Sequence, residues 1–244
     1  MVAKTNHPCF EQPQSENIKL WRYMDFEKYV SLISSKVLFL CRADLFDDPF
    51  EGSYSKRNVE LRPQVYEGKM DEKMLTDMAL HSEWIREWTY INCWHANQYE
   101  SAAMWNLYAK SSAAVAVETD YESLKNSLPE NSYLGLVKYI DYERDWLPEG
   151  NTFHHFMHKR KSFEHENEVR VVINEHASTG RNNRGNKNQN SGKPVDIDLK
   201  SLIKHVHVAP NAPSWFVDLV NEVSNKYSID ATVTKSDLYA KPVY

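Results

Sequence analysis

Glycine and cysteine are scarce in this sequence. Its 244 residues include only seven glycines, and neither G-x-G-x-x-G nor the P-loop pattern occurs, so no glycine-rich loop is available to cradle a phosphate. The G-x-S-x-G and protein-kinase signatures are missing too. The three cysteines are far apart and odd in number, which excludes a disulfide framework, and no C-x-x-C pair indicates zinc. We therefore expect reduced thiols and no metal ion.

The sequence also lacks an excess of positive charge and any long hydrophobic run. A formal net charge of −5 argues against a general nucleic-acid binder, which carries a basic surplus. No apolar run approaches membrane-spanning length, and the N-terminus has no apolar stretch of the kind found in secretory signals. These absences predict a cytoplasmic protein with no membrane contact, and its charge does not indicate nucleic acid as a partner.

Apolar and aromatic residues are abundant. Hydrophobic residues make up 41% of the chain, and it contains seven tryptophans and fourteen tyrosines, enough for a sizeable core and for aromatic walls around a ligand. Because no linker separates two cores, we predict a single α+β domain over 1–244, with a mostly antiparallel, split β-sheet and helices at its margins. Residues 1–16 are predicted to be an irregular lead-in. The polar, apolar-free residues 178–194 are predicted to be a mobile loop between two strands.

The pattern of apolar residues predicts the individual elements. Alternating or continuous apolar positions predict strands at 18–23, 37–41, 89–95, 113–118, 136–140, 168–173, 205–208 and 231–234. Helical spacing predicts helices at 26–33, 54–88, 102–109 and 215–227, and the histidine-rich residues 141–163 are also predicted to be helical.

The segment Glu166–Arg170 is the first candidate site. On a strand, the two-residue period places Glu166, Glu168 and Arg170 on one face and directs Val169 and Val171 into the core. Two adjacent carboxylates repel each other, which raises the pKa of one toward that of a general acid or base, and Arg170 can hold the other ionised. The alternative is a solvated strand edge with paired charges.

Aromatic residues form a second candidate site. Trp105 and Tyr108 lie three apart on a predicted helix and so share a face. Together with Trp94 and His95 of the preceding strand they can wall a slot for a planar ligand, although plain core packing accounts equally well for Trp105.

Arg22 is a third candidate. It lies on the first strand between Trp21 and Tyr23, a setting that suits bidentate recognition of phosphate or carboxylate. An exposed strand arginine is the alternative.

Metal binding is a weaker interpretation of two further segments. Asp47, Asp48 and Glu51 surround a proline turn and can offer oxygen ligands to a hard cation, but such a turn more often shapes a loop. His154 and His158 have helical zinc spacing without an obvious third ligand.

The order of these segments resembles a family found in bacteria and phages, the domain-of-unknown-function family 2971. The resemblance covers roughly residues 20–244 in sparse blocks. It departs from the family pattern at Asp47, where asparagine is usual, and at His95, where serine is usual, and 178–194 looks like an insertion. The matching blocks are Trp21-Arg22-Tyr23, Phe46–Glu51, Cys93-Trp94-His95, Trp105-x-x-Tyr108, Glu166-x-Glu168-x-Arg170, Lys235-Ser236 and the terminal Tyr244.

The arrangement is also similar at the level of fold to ADP-ribosyltransferases of the Arg-Ser-Glu type. That resemblance implies that Arg22 binds the phosphates or ribose of NAD and that Glu168 stabilises the oxocarbenium-like ribose. Glu166 then orients the acceptor. It also implies a nicotinamide pocket at Trp94 or His95, but the Ser-Thr-Ser triplet of the middle strand is replaced by Asn92-Cys93-Trp94.

Three hypotheses follow from these candidates. The leading one is an enzyme that binds NAD or a related nucleotide and cleaves or transfers at its N-glycosidic bond, as a toxin or defence effector acting on a small-molecule or macromolecular acceptor. Its catalytic residues are Glu168, Glu166 and Arg22; its nucleotide-binding residues are Arg22, Tyr23, Trp94, His95, Trp105 and Tyr108. The alternatives are a metal-dependent nuclease and a non-catalytic nucleotide-sensing or partner-binding module.

Overall fold

A nine-stranded sheet lies at the centre of the fold. The computed structural model describes residues 2–109, 111–175 and 187–244. Nine of the strands below belong to the sheet, while β6 and β7 form a separate parallel pair. The strands are β1 (Lys19–Asp25), β2 (Val37–Arg42), β3 (Thr89–Ala96), β4 (Ala114–Asp120), β5 (Tyr133–Leu136), β6 (Lys138–Ile140), β7 (His158–Arg160), β8 (Glu168–Asn174), β9 (Gly192–Asp196), β10 (His205–Val208) and β11 (Thr232–Lys235).

Helices cover the sheet and join its strands. Asp71, Ser101 and Asp120 precede three of them, and their side-chain oxygens accept hydrogen bonds from backbone N–H groups that the first turn leaves free. None of the helices in the described ranges is long and apolar enough to cross a membrane. The helices are α1 (Phe26–Ser35), α2 (Lys56–Val65), α3 (Glu72–Arg86), α4 (Ala102–Tyr108), α5 (Tyr121–Ser127), α6 (His154–Met157), α7 (Leu199–Leu202) and α8 (Ser214–Lys226), with 3₁₀ helices at Ala43–Leu45 and Lys161–Glu166.

The sheet splits at β3. One edge of β3 pairs with β8 along its length. The other edge is shared, because β1 pairs with it at His95 and Ala96 whereas β2 pairs with it at Tyr90 and Ile91. The two neighbouring strands therefore diverge beside residues 92–94. Apart from the parallel pair β10–β11, the sheet pairings are antiparallel, so the predicted α+β class with a mostly antiparallel, split sheet is confirmed.

The main core lies on the sheet face that carries Val169 and Val171. Both side chains are fully buried, as the alternation of β8 predicts. Helices α1 and α8 pack there, and the hydroxyls of Tyr29 and Ser224 form a buried 2.8 Å hydrogen bond between them. Burial of this apolar face drives folding. The main core therefore does not depend on the opposite face of β8, which can carry charged residues.

Two predictions for 136–163 are wrong. Residues 136–140 are not one strand, because β5 ends at Leu136 and β6 belongs to the other sheet. Residues 141–163 are not a long helix, since only the four-residue α6 forms before β7 and the 3₁₀ helix that follows it. Pro148 and Gly150 are poor helix formers, and ion pairs made by residues 159 and 160 hold this segment in other conformations.

The predicted loop at 178–194 is only partly described, since residues 176–186 lie outside the described ranges. Its last residues are not a loop, because β9 begins at Gly192 and pairs with β2. Asn188 is buried just before that strand. Its side-chain amide donates at 2.7 Å to the backbone oxygen of Glu87 and at 2.7 Å to the hydroxyl of Tyr90.

These hydrogen bonds make Asn188 a measurable anchor. Asn188→Ala is expected to lower the free energy of unfolding by about 1–3 kcal/mol, because buried groups lose their partners. Chemical denaturation measures the loss. Gln189→Ala at the exposed neighbour is the control and should leave stability unchanged. Equal stability of the two variants would contradict the anchoring role.

Candidate functional site

The candidate site lies where the 3₁₀ helix Lys161–Glu166 turns into β8. Asn167 makes this turn with a φ of 38°, in the left-handed region that asparagine tolerates better than most residues. Glu168 then begins β8 opposite His95, and Arg170 follows on the same face opposite Cys93. The period-two prediction is therefore confirmed for Glu168 and Arg170. It is wrong for Glu166, which ends the 3₁₀ helix instead of lying on the strand.

Glu166 and Glu168 nevertheless converge, because Lys159 of β7 lies between them. The Lys159 ammonium contacts Oε2 of Glu166 and lies 2.7 Å from Oε1 of Glu168. Each of the two glutamates is only 5% exposed. The two carboxylates belong to different elements, the 3₁₀ helix and β8, and one buried ammonium group contacts both of them.

Arg170 extends this group into a buried ionic network. Its Nε donates to Oε2 of Glu168 at 2.6 Å, and its two terminal nitrogens donate to Oε1 and Oε2 of Glu51 at 2.6 and 2.9 Å. It also donates to the backbone oxygen of Phe156 at 2.6 Å. We call Glu51, Lys159, Glu166, Glu168 and Arg170 the ionic network. The fork of an arginine suits this two-sided role, which a lysine cannot fill.

The network drives the pKa values of the two central carboxyls apart. Burial alone would raise the pKa of Glu168, but the charge of Arg170, a hydrogen bond from Glu166 and the charge of Lys159 hold that pKa well below its usual range. Glu168 is therefore ionised at neutral pH. Burial, the hydrogen bond to Glu168 and its negative charge raise the pKa of Glu166 to about 7. Two carboxyls in one site can thus act in different protonation states.

The raised pKa of Glu166 predicts a pH dependence of stability. Between the ordinary glutamate pKa of 4.5 and the raised value of about 7, the folded state keeps a proton that the unfolded chain loses. Stability from this group is complete below pH 4.5 and is lost as the pH rises through 7. Glu166→Gln removes the titration, so its stability relative to the wild type should rise across this window, by at most about 1.4 kcal/mol per pH unit.

Urea denaturation of both proteins between pH 4 and pH 8 measures this difference. Glu164→Gln, at an exposed position of the same segment, is the matched control. A constant difference between Glu166→Gln and the wild type across the window would show that Glu166 is not protonated in the fold.

Tyr108 and His95 border the carboxyl pair. The Tyr108 hydroxyl donates to Oε1 of Glu166 at 2.8 Å, and Nδ1 of His95 lies 2.6 Å from the backbone oxygen of Glu166. Tyr108 is 43% exposed, so α4 forms the part of this site that faces solvent. The predicted candidates Tyr108, His95, Glu166 and Glu168 are therefore brought together.

Arg22 lies in the split of the sheet. It donates to the backbone oxygen of Cys93 at 3.4 Å, and its guanidinium carbon is 5.8 Å from the centre of the Trp94 ring. Burial lowers the pKa of Arg22 to about 10, and no described carboxylate forms an ion pair with it.

Trp94 is buried in the main core and pairs with Val169, so it lies on the sheet face opposite to Glu168. In the described residues, no hydrogen bond or ion pair joins Arg22 to Glu166 or Glu168. Cys93 is near both groups, because its backbone oxygen accepts the hydrogen bond of Arg22 and its partner on β8 is Arg170. Arg22 and Trp94 are thus neighbours in the fork but are separate from the carboxyl pair.

Trp105 and Tyr23 pack against each other beside this site. Their rings meet edge to face at 5.0 Å, Nε1 of Trp105 donates to Glu100 at 2.8 Å, and the Tyr23 hydroxyl accepts the backbone N–H of Ser101 at 2.7 Å. Trp105 also lines a recess next to Asn211 and Tyr239. Tyr23 of β1 thus packs against Trp105 of α4. The recess that Trp105 lines does not include Trp94.

The proline turn that carries Asp47, Asp48 and Glu51 contacts the same site, because Glu51 pairs with Arg170. Asp48, from the same turn, pairs with Arg160 at 2.7 Å. Arg170 lies between Glu51 and Glu168, so a guanidinium fills the space that a bridging cation would need. Across the described ranges, no three His, Cys, Asp or Glu side chains are grouped to hold a metal ion.

Sequence reasoning missed Lys159 and the role of Glu51. Lys159 lies on a three-residue strand whose partner, β6, is also only three residues long, so no periodicity marks it. The sequence interpretations of Glu51 are a cation ligand and part of a turn that shapes a loop. Its proximity in sequence to other acids gave no sign that it pairs with an arginine 119 positions away.

Comparison with known proteins finds similar proteins only among the solved structures. No protein-family model matches the chain, and no curated protein matches it. Two of the solved structures to which the chain is similar are complexes of DarT. The structure of Thermus sp. 2.9 DarT in complex with NAD+ has 6% identity and a TM-score of 0.42, over 92% of this chain and 97% of that chain. The complex with ADP-ribosylated ssDNA has 7% identity and a TM-score of 0.42, over 93% and 96%.

This likeness concerns the fold, and no residue role is carried over from it. The resemblance to domain-of-unknown-function family 2971 stays a prediction.

Proposed function

We propose that this chain is an enzyme that binds NAD or a related nucleotide and acts at its N-glycosidic bond, transferring the ADP-ribosyl group to an acceptor or to water. One observation carries the proposal: two buried carboxyls, Glu166 and Glu168, converge on the Lys159 ammonium, and their pKa values are driven in opposite directions. Such a pair is the usual way in which one site supplies both an anion and a proton donor or acceptor.

The ionised carboxylate fits the charge that this reaction develops. When nicotinamide leaves, its nitrogen takes the bonding electron pair and the ribose carbon becomes positively charged. A fixed carboxylate such as Glu168 stabilises that cation, and most strongly where water is excluded. Arg170 and Lys159 fix Glu168 in position at 2.6 and 2.7 Å.

Glu166 and Tyr108 are suited to the acceptor side. Glu166 changes its protonation state near neutral pH, and its neighbour Tyr108 lies on the solvent-facing helix α4. We propose that the ligand enters past Tyr108, whose hydrogen bond to Glu166 must open to admit it. Arg22 has no carboxylate partner in the described residues, and we propose that it binds the phosphates, which requires the ligand to reach from the carboxyl pair into the fork of the sheet.

The test is direct. Isothermal titration with NAD and an assay for released nicotinamide should show binding and turnover by the purified chain. Binding without turnover would favour the non-catalytic nucleotide-sensing module. Absence of binding at millimolar NAD, together with absence of turnover, would overturn both. The nuclease alternative predicts metal-dependent cleavage of DNA or RNA, which a parallel assay with Mg²⁺ measures.

A further inference from the structure

His95 has a fixed tautomer. Its Nδ1 lies 2.6 Å from the backbone oxygen of Glu166. A carbonyl oxygen can only accept a hydrogen bond, so Nδ1 must carry the hydrogen of the ring and donate it. The other nitrogen, Nε2, then has a free lone pair and can only accept. The backbone of the candidate site thus determines which nitrogen of His95 is basic.

That basic nitrogen has no partner in the described part of the chain. Nε2 of His95 is buried and makes no hydrogen bond there, and the residue is only 5% exposed. Burial also lowers the pKa of His95, so the ring is neutral at neutral pH. An unsatisfied buried acceptor destabilises the fold, a cost that is removed where a ligand supplies the missing donor.

Other basic groups of the site are already engaged. Glu166 uses one oxygen for Tyr108 and the other for Lys159. Glu168 uses its two oxygens for Lys159 and Arg170. His95 lies directly opposite Glu168 across the β3–β8 pair, and its Nε2 lone pair, unlike these four oxygens, makes no hydrogen bond in the described residues.

We propose that Nε2 of His95 is the general base that accepts the proton of the acceptor nucleophile. This inference rests on the proposed function. The acceptor oxygen or nitrogen forms a bond to the anomeric carbon of the ribose as the bond to nicotinamide breaks. The nicotinamide nitrogen keeps the electron pair and leaves as a neutral molecule. The acceptor's proton passes to His95, which becomes imidazolium and later releases the proton to water.

His95→Asn tests the role, because the asparagine amide can still donate to the Glu166 carbonyl but offers no basic nitrogen. With water as the acceptor, nicotinamide release should fall roughly 10²- to 10⁴-fold, the usual loss on removal of a general base. The KM for NAD should change little. Azide is a nucleophile that has no proton to lose, so adding sodium azide should restore most of the lost rate and give ADP-ribosyl azide.

His165→Asn, at an exposed histidine of the neighbouring segment, is the matched control and should behave as the wild type. Equal losses with water and with azide in His95→Asn would overturn the base and indicate a structural role. Wild-type rates in His95→Asn would overturn it as well. If the wild-type chain neither binds NAD nor releases nicotinamide, the proposed function fails and this inference fails with it.

Discussion

Glu168→Gln is expected to lower the rate of nicotinamide release from NAD by roughly 10³-fold, the scale seen when one preorganised electrostatic group is removed. Glutamine keeps the shape of the side chain but loses the negative charge that faces the developing ribose cation. Because the positive charge on the ribose develops only as nicotinamide leaves, the affinity for NAD measured by calorimetry should change far less than the turnover rate. The nicotinamide assay and the titration together separate the two effects.

Folding must be verified in the same experiment. Glu168 is held by Arg170 and Lys159, so its replacement also weakens the ionic network. Thermal unfolding followed by circular dichroism shows whether Glu168→Gln is folded at the assay temperature. Glu164→Gln, an exposed glutamate on the preceding 3₁₀ helix, should keep full activity. A folded Glu168→Gln protein with wild-type turnover would contradict the proposed chemistry.

Arg170→Met is expected to produce the largest loss of stability. The substitution leaves Glu51 and Glu168 buried without their shared guanidinium, and breaking a buried ion pair on one side costs about 3–5 kcal/mol. For a chain of this size the melting temperature should fall by about 10 °C. Differential scanning calorimetry at neutral pH measures the change.

Arg144→Met is the matched control for that experiment. Arg144 is 86% exposed in its surface pair with Asp141, so its loss should cost about 0–1 kcal/mol. The double variant Glu51→Gln with Arg170→Met should recover part of the stability lost in Arg170→Met, because it removes the buried Glu51 charge that has lost its partner. Similar melting temperatures for Arg170→Met and Arg144→Met would show that the ionic network does not stabilise the fold.

Elements with strong local patterns were predictable from the sequence. β8 and β4 are continuous or alternating apolar segments, and their burial in the main core follows from that pattern alone. The amphipathic α8 was predicted for the same reason. Residues 136–163 were not, because short elements such as β6, α6 and β7 have no room for periodicity and are held by partners distant in sequence.

Some features of the candidate site were also predictable from the sequence, and others were not. Glu168 and Arg170 share a face because a strand has a fixed period, and the sequence shows that period. The place of Glu166 follows from the turn at Asn167, whose left-handed backbone conformation the pattern does not reveal. The prediction that Trp105 and Tyr108 share a helix is confirmed by α4, but only the packing of α4 on Tyr23 shows that Trp105 is buried while Tyr108 reaches Glu166.

The sequence by itself determined the fold class, the strand that carries Glu168 and Arg170, and the candidate segment at 166–170, because each depends on local periodicity or residue chemistry. Only the tertiary structure decided which charges meet. Lys159 of β7 contacts both carboxyls, and Glu51, in the turn after the 3₁₀ helix Ala43–Leu45, reaches Arg170 of β8 from 119 positions away. The opposite pKa shifts of Glu166 and Glu168, and the unsatisfied nitrogen of His95, arise from burial and from partners fixed by that packing. Burial and long-range pairing depend on the whole chain, so no local pattern encodes them.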